Sequence, residues 1–225
     1  MRSRLTPVFL SAGGRPSFPD PHLADENGML AIGGDLTPER LRLAYDHGIF
    51  PWYDEGLPPM WWSPDPRAII DPTHLRISRS MRRVLQRSGF AVTSNCAFAQ
   101  VIRACASNRP EGTWLTSDMI EAYEELHHQG DAQSFEVWRD DALVGGLYGV
   151  QRGAAFAAES MFHTVANASK VALIAAVTSL FAAGIELFEV QFLTDHLASM
   201  GAFNIRRAEY LARLNEARSK PLRLR

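Results

Sequence analysis

The apolar positions in several segments of the chain recur with a helical period. In the segment that Thr116 caps and Gly130 ends, Met119, Tyr123 and Leu126 form one inner stripe. Caps and periodicity of this kind predict helices at 38–47, 76–87, 96–106, 117–129, 167–184, 194–201 and 208–217.

Strand patterns alternate with these helices. Residues 134–162 contain three apolar runs separated by turn signals at Asp140–Asp141 and Arg152–Gly153, which predicts three antiparallel strands. The run 185–193 is almost continuously apolar, so we expect a strand buried on both faces. With further strands at 90–94 and 202–207, the order of elements predicts an α+β fold with a mixed sheet.

Residues 48–67, GIFPWYDEGLPPMWWSPDPR, follow neither period. They hold three tryptophans, a tyrosine, a phenylalanine and five prolines. Proline fixes φ and removes a backbone donor, so we expect neither a regular helix nor a central strand here. The aromatic side chains would then be held by irregular backbone, either as a binding wall or as the contact between two lobes. Residues 1–35 are also predicted to be rich in loops.

Composition narrows the class of protein. A chain of 225 residues with 46% hydrophobic content is enough for one large domain, or for a medium domain with a small partner. No apolar run approaches the ~20 residues of a membrane span, and the first residues are too broken for a signal peptide. Cys96 and Cys105 are too far apart for a CxxC pair and are expected to be buried thiols of a cytoplasmic protein. No metal site is expected.

The positive charges are unevenly distributed, although the formal net charge is only −2. Arg79, Arg82, Arg83 and Arg87 fall on one helical stripe, in a segment without acidic residues. Like charges at this spacing repel each other, so the stripe favours a nucleic-acid or phosphate ligand over a merely solvated helix surface. Lys170 and the C-terminal arginines are weaker candidates for the same task.

The order of elements after residue 88 is also that of the N-acetyltransferase fold. In that fold a glycine-rich loop and the N-terminus of the long helix hold the pyrophosphate of an acyl-CoA. The corresponding loop here, HTVANASK, contains no glycine. Because every residue of it carries a Cβ, the backbone cannot approach a pyrophosphate closely, which disfavours a CoA enzyme.

Long motifs that resemble one family run through most of the chain. They are FPDPHLADENGMLAIGGDLTPERL, GIFPWY, WWSPDPRAII, HLRISRSMRR, EGTWLT, MIEAYEELHHQG, ESMF, NASKVAL and VQFLTDHLASMGA. From about Phe18 to Leu214 the chain therefore resembles the leucyl/phenylalanyl-tRNA–protein transferases.

This resemblance implies a fold and a reaction. The fold would be a small N-terminal α/β domain, residues 1–64, and a C-terminal acyltransferase-like domain of the N-acetyltransferase superfamily, residues 65–225. Leucine or phenylalanine, and less well methionine, would move from its aminoacyl-tRNA to an N-terminal arginine or lysine of an acceptor protein. That transfer marks the acceptor for N-end rule degradation. We expect a cytoplasmic monomer that needs no cofactor and does not bind membranes.

The resemblance also implies a hydrophobic pocket for the donor side chain. Its lining would be Trp52, Trp114, Leu147, Met161 and Phe188. Leucine, phenylalanine and methionine share little except apolar bulk, and one methylene contributes only ~1–3 kcal/mol in such a pocket, so selection must depend on size and hydrophobicity. The alternative is that the aromatic residues are interdomain core, which is the interpretation we favour for Trp61 and Trp62.

The donor is an activated ester, so the reaction needs no nucleophile from the enzyme. Glu189 and Gln191 stand two residues apart on a predicted strand and would share a face, where they could hold the acceptor amine and the donor carbonyl. The family has aspartate at the position of Glu189. The extra methylene matters because a misplacement of about 1 Å can cost ~100-fold in rate.

Glu159 is the second carboxylate of interest, because it ends the apolar run AAFAAE. It would contact either an arginine of the first domain or a cationic group of the acceptor, since a buried carboxylate needs a partner. The arginine stripe would hold the phosphates of the tRNA acceptor stem. Two other functions stay open: a CoA-dependent acetyltransferase, and a tRNA-binding module without catalysis.

Overall fold

The computed structural model describes residues 7–107 and 115–222. Their strands form one sheet of four strands and one of seven. The strands are β1 Val8–Leu10, β2 Met29–Gly33, β3 Phe50–Pro51, β4 Met60–Trp62, β5 Arg67–Ile70, β6 Ala91–Ser94, β7 Ala132–Arg139, β8 Ala142–Arg152, β9 Ala155–His163, β10 Leu187–Gln191 and β11 Phe203–Ile205. The helices are α1 Pro38–Asp46, α2 Arg79–Arg87, α3 Phe98–Ser107, α4 Ser117–His128, α5 Ala168–Ala182, α6 Asp195–Ser199 and α7 Arg207–Arg218, with a short 3-10 helix at Pro21–Leu23.

The helices confirm the sequence pattern, and at α2 and α4 a side-chain cap explains where the helix begins. Thr116 caps α4 by accepting a hydrogen bond from the backbone N–H of Met119, and Ser78 caps α2 in the same way. The predicted hairpin turns are confirmed as well. Asp140 and Asp141 have φ values of 50° and 61°, the left-handed values that a two-residue turn between β7 and β8 requires.

The four-stranded sheet, with the order β1-β2-β4-β3, corrects the expectation for residues 48–67. This stretch contributes two strands, and β4 pairs on both sides. Met60–Trp62 can do so because no proline interrupts it and its N–H groups are free to pair. Pro51 lies on the edge strand β3, where a missing donor is tolerated. The loop-rich expectation for residues 1–35 also overlooked β1 and β2.

The seven-stranded sheet has the order β11-β5-β10-β9-β8-β7-β6. Among its described pairs, β9 and β10 run parallel and the others antiparallel. The predicted α+β class with a mixed sheet is therefore confirmed. All five residues of β10 are buried, as its continuous apolar run predicted.

Different elements pack on the two faces of the large sheet. Helix α5 packs on one face, where Leu147 and Phe188 belong to its core. On the other face Tyr148 shares a core with α1, α3 and α4 and with Trp61 of the small sheet. The predicted domain boundary after residue 64 falls between β4 and β5, and it stays a prediction because this apolar core is continuous across it.

Ion pairs fix α1 against the large sheet. Arg152 on β8 donates to both carboxylate oxygens of Asp46, at 2.8 and 3.0 Å, and to Asp131 at 2.9 Å. Arg42 donates to the other oxygen of Asp131 at 2.7 Å. These ion pairs thereby hold α1 in place over one face of the large sheet. No helix in the described ranges combines the length and apolar character that crossing a bilayer would demand.

Candidate active site

The parallel strands β9 and β10 separate at one point of the large sheet. Their pairing ends at Glu189 opposite Ala157. Immediately beyond, each strand carries an extra residue relative to its antiparallel neighbour: Glu159 on β9 and Val190 on β10. Such bulges bend a strand and redirect its side chains. Gln191, which follows the bulge in β10, has a φ of 57°, an uncommon value for a residue other than glycine.

A cleft of about 420 Å³ opens where the strands part. This volume is in the range of small-molecule sites. Its lining comes from the small sheet, from the ends of β9 and β10, and from the segment that leads into α6: Phe50, Pro51, Trp52, Glu159, Ser160, Met161, Val190, Gln191, Phe192, Thr194 and Leu197. The cleft is therefore mostly apolar, with a carboxylate and an amide at its inner end.

Aromatic rings form one wall of the cleft. The Trp52 ring lies 5.7 Å from Phe192 and 5.8 Å from Trp62, and Phe50 lies 5.9 Å from Phe192. The Trp62 indole N–H donates to the backbone oxygen of Trp52 at 2.7 Å, which holds the wall together. Trp61 has the core position expected for it, fully buried. Trp52 and Phe192 stay about 40% exposed, which is unusual for large aromatic side chains in a packed protein.

The residues expected in the pocket do not all line the cleft. Met161 lines the cleft with Trp52, whereas Trp114 lies outside the described residues. Leu147 and Phe188 do not line it; they are 2% and 0% exposed and lie in the core that packs against α5.

Phe192 was missed by sequence reasoning. The signal was an aromatic residue directly after a buried strand, in the motif VQFLTD, at a position where the chain leaves the sheet. A phenylalanine at such a position is equally compatible with a place in the core. Only its ring contacts with Trp52 and Phe50 show that it belongs to the cleft wall.

Glu159 is buried, and its carboxyl group is held by neutral donors. Gln191 donates its side-chain amide to one oxygen at 2.7 Å, and the Tyr123 hydroxyl donates to the other at 3.2 Å. Tyr45 of α1 is in turn 2.6 Å from the Tyr123 hydroxyl. Burial raises the pKa of Glu159 to about 8, and the negative charge of Glu189 adds to the rise, while the tyrosine hydroxyls and Arg67 oppose it.

Glu189 points away from the cleft. It forms a fully buried ion pair with Arg67 of β5 and accepts a hydrogen bond from the Tyr210 hydroxyl at 2.7 Å. The Arg67 guanidinium also donates to the backbone oxygen of Gly48 at 3.0 Å. Glu189 and Gln191 therefore do not share a face of the strand, contrary to the expectation from their spacing. The bulge between them turns the amide toward Glu159 and leaves the carboxylate beside Arg67.

The arginine stripe lies on the outer face of α2. Met81 and Val84 turn inward against the core of α5, and the four arginines Arg79, Arg82, Arg83 and Arg87 are exposed. None of the ion pairs formed within 7–107 and 115–222 includes them. Arg207, one of the weaker C-terminal candidates, is buried and donates to the backbone oxygen of Ser63 at 2.6 Å, so it stabilises the fold.

Comparison with known proteins identifies the family. A family model described as "Leucyl/phenylalanyl-tRNA protein transferase" matches residues 69–215, and one described as its N-terminal domain matches residues 34–65. The chain belongs to this family. It is an enzyme, an aminoacyltransferase that carries an amino acid from tRNA to protein. Of the three functions that the sequence left open, family membership selects aminoacyl transfer.

A curated relative and two solved structures show how far the similarity extends. A leucyl/phenylalanyl-tRNA–protein transferase of Anaeromyxobacter sp. (strain K) is 53% identical over 209 residues, which is 92% of this chain and 90% of the relative. The structure of L-PGS from Bacillus licheniformis aligns with a TM-score of 0.40 at 14% identity, over 75% of this chain and 57% of that one. A GCN5-related N-acetyltransferase from Kribbella flavida aligns with a TM-score of 0.40 at 10% identity, over 72% and 58%. The chain thus spans little more than half the length of each of these two structures.

Proposed function

We propose that this transferase moves leucine or phenylalanine, and less well methionine, from its tRNA to the N-terminal arginine or lysine of an acceptor protein. The products would enter N-end rule degradation, and the enzyme would act as a monomer in the cytoplasm. The observation that carries the proposal is the cleft itself, in which an aromatic wall leads to a buried carboxylate and amide.

The donor side chain fits the apolar part of the cleft. Trp52, Phe192 and Met161 offer an aromatic and thioether surface to it. Such a surface sorts ligands by buried apolar area, at roughly 25 cal/mol per Å². Leucine and phenylalanine bury enough area to bind there, and small or polar side chains do not. Trp114 is proposed as a further member of this lining on family grounds.

The inner end of the cleft provides groups suited to the chemistry. The acceptor amine attacks the ester carbonyl, a tetrahedral oxyanion forms, and the ribose hydroxyl leaves with a proton. Gln191 uses one of its two amide N–H groups for Glu159, so the second is available to the donor carbonyl oxygen. Glu159 faces the same space and is proposed to contact the cationic group of the acceptor.

Glu189 is proposed as a positioning residue. It does not line the cleft, but it neutralises Arg67, which stacks between the rings of Phe50 and Tyr210 at 4.8 and 4.5 Å. Phe50 belongs to the aromatic wall. The pair would therefore hold the small sheet and the end of β10 in register around the cleft, a role that tolerates either glutamate or aspartate provided that the charge is kept.

The arginine stripe on α2 is proposed to bind tRNA. Its four exposed guanidinium groups would contact phosphates and thereby hold the acceptor stem without reading its bases.

A matrix of donors and acceptors tests the proposal. Radiolabelled Leu-, Phe-, Met- and Val-tRNA are offered with peptides that differ only in an N-terminal Arg, Lys or Ala. We expect transfer of leucine and phenylalanine, weaker transfer of methionine, and label only on the Arg and Lys peptides. Absence of transfer from all four donors, or equal labelling of the Ala peptide, would refute the proposed donor or acceptor class respectively.

A further inference from the structure

Three ionisable side chains, one basic and two acidic, are buried together at the cleft. Arg67 and Glu189 form an ion pair that is almost completely removed from solvent, with 0% and 4% of their side chains exposed. Glu159, only 9% exposed, is the third member. One guanidinium group therefore accompanies two carboxyl groups.

The side chains that are hydrogen-bonded to Glu159 carry no positive charge. The Arg67 Nε bonds Glu189 and its Nη1 bonds the Gly48 carbonyl, whereas the side-chain donors to Glu159 are Gln191, Tyr123 and Tyr45, all neutral. A buried carboxylate without a cation is costly, and the group responds by taking up a proton. Glu159 also faces the cleft, so a ligand can reach it.

We propose that acceptor binding exchanges a cation for a proton at Glu159. In the free enzyme the Glu159 carboxyl group holds a proton, and the positively charged group of the acceptor displaces it when it binds in the cleft. The inference rests on the acceptor class proposed above, and it adds a regulation of that site by pH.

The groups packed around Glu159 make this exchange feasible near neutral pH. They come from four elements: Tyr45 of α1, Arg67 of β5, Tyr123 of α4, and Glu189 with Gln191 of β10. Burial and Glu189 favour the protonated form, while the tyrosine hydroxyls and Arg67 favour the carboxylate. The resulting pKa of about 8 leaves the group protonated at pH 7. Because this pKa lies only about one unit above pH 7, a well-placed cation can displace the proton.

The direction of the pH effect follows from this exchange. The cation binds the carboxylate form, which becomes scarcer as the pH falls below the pKa of Glu159. The affinity for the acceptor should therefore fall by up to about tenfold for each pH unit below 8 and level off above it.

Calorimetry of peptide binding measures the displaced proton directly. A peptide with N-terminal arginine is titrated into the full-length enzyme at pH 7, in two buffers of different ionisation enthalpy. We expect the enzyme to release roughly one proton more per peptide than Glu159→Gln, because the variant carries no titrating group there. The peptide amine also titrates, but it contributes equally to both proteins and cancels in the difference.

A second variant keeps the test valid if Glu159→Gln binds too weakly. Tyr123→Phe retains the carboxyl group and removes one donor, so the pH midpoint of peptide affinity should move upward, and raising the pH should restore binding. Tyr53→Phe is the matched control, since that buried tyrosine faces Thr116 and makes no hydrogen bond to Glu159. A merely structural role of Tyr123 would weaken binding equally at every pH.

Two results would overturn the inference. One is a binding enthalpy that changes between the two buffers by the same amount in the unmodified enzyme and in Glu159→Gln. The other is an affinity in the unmodified enzyme that stays flat from pH 6 to 9. Either result with intact aminoacyl transfer to the arginine peptide refutes the proton exchange alone, whereas loss of that transfer refutes the proposed function.

Discussion

Glu159 and Glu189 have the same side chain, lie in the same sheet and are both buried, but their charge environments differ. Glu189 has an arginine as its partner, whereas Glu159 has an amide and a phenol. The difference decides what each can do. A carboxylate that is permanently paired supports structure, and a carboxyl group surrounded by neutral donors can change its charge when a ligand arrives.

Glu189→Gln removes the carboxylate that pairs with Arg67 and leaves a buried guanidinium without this counter-charge. We expect a loss of about 3–5 kcal/mol in the free energy of unfolding, measured by urea denaturation. Glu189→Asp keeps the charge and should cost less. Glu186→Gln, at an exposed ion pair with Lys220, is the control and should change stability by no more than about 0.5 kcal/mol. A loss below about 1 kcal/mol for Glu189→Gln would contradict the structural importance of the pair.

Glu159 should make the stability of the protein depend on pH in the opposite sense from an ordinary salt-bridged carboxylate. Its pKa is raised from 4.5 to about 8 in the folded state, so the folded protein retains a proton that the unfolded chain loses between these values. The stabilising contribution is complete below pH 4.5 and disappears as the pH rises through 8, with a slope of at most about 1.4 kcal/mol per unit.

Urea unfolding of the enzyme and of Glu159→Gln from pH 5 to 9 checks this dependence. The stability of the variant relative to the unmodified enzyme should rise steadily up to about pH 8 and then stay constant. A difference that is independent of pH would mean that Glu159 is ionised throughout.

At the scale of elements, two neighbouring bulges create the site. Regular pairing of β9 with β10 would have closed the sheet, and the extra residues at Glu159 and Val190 end that pairing and open the cleft. The left-handed backbone of Gln191 belongs to the same irregularity. A strained conformation of this kind typically costs about 1–3 kcal/mol and persists where the surrounding packing requires it.

Helix α2 is the element on which the tRNA proposal depends. The double substitution Arg82→Gln and Arg83→Gln should weaken tRNA binding and lower the slope of log affinity against log salt concentration by roughly 1.4–1.8, because two phosphate contacts are lost. Filter binding at several salt concentrations measures both effects.

Arg103→Gln is the control for this experiment. Arg103 is exposed on α3 and pairs with Glu124, so its loss should leave the slope unchanged. An unchanged slope in the double variant as well would place the tRNA on another surface.

At the scale of the whole molecule, one apolar core joins the two sheets. Trp61 of the small sheet and Tyr123 and Tyr148 of the large unit are all buried in it. The Arg42–Asp131–Arg152–Asp46 network adds ion pairs between α1 and the large sheet. The Tyr123 hydroxyl that donates to Glu159 is also hydrogen-bonded to the Tyr45 hydroxyl of α1, so residues from both sides of the predicted boundary meet at Glu159.

We therefore expect the enzyme to unfold in a single cooperative transition. Scanning calorimetry should give a ratio of van't Hoff to calorimetric enthalpy near 1. Two resolved transitions would show that the predicted domains 1–64 and 65–225 are independently stable.

The sequence predicted the local elements well, because their signals lie within a few residues of each other. The helices α3, α4, α5 and α7 and the strands β6 to β10 follow from periodicity, caps and turns. It failed where pairing is not local. Strand β4 is too short to carry a period and exists because β2 and β3 flank it.

The sequence by itself determined the family, the α+β class and the set of chemically capable residues, since these depend on residue identity and local order. The tertiary structure decided which of them meet. Arg67 and Glu189 are 122 positions apart, and Tyr45 and Tyr123 are 78 apart, so no local pattern could pair them. The faces of Glu189 and Gln191 depended on a bulge, because one extra residue in a strand redirects every side chain that follows. Burial and partners then distinguish the two carboxyl groups: Glu189 is paired with Arg67, whereas Glu159 is the group for which we propose a change of charge on ligand binding.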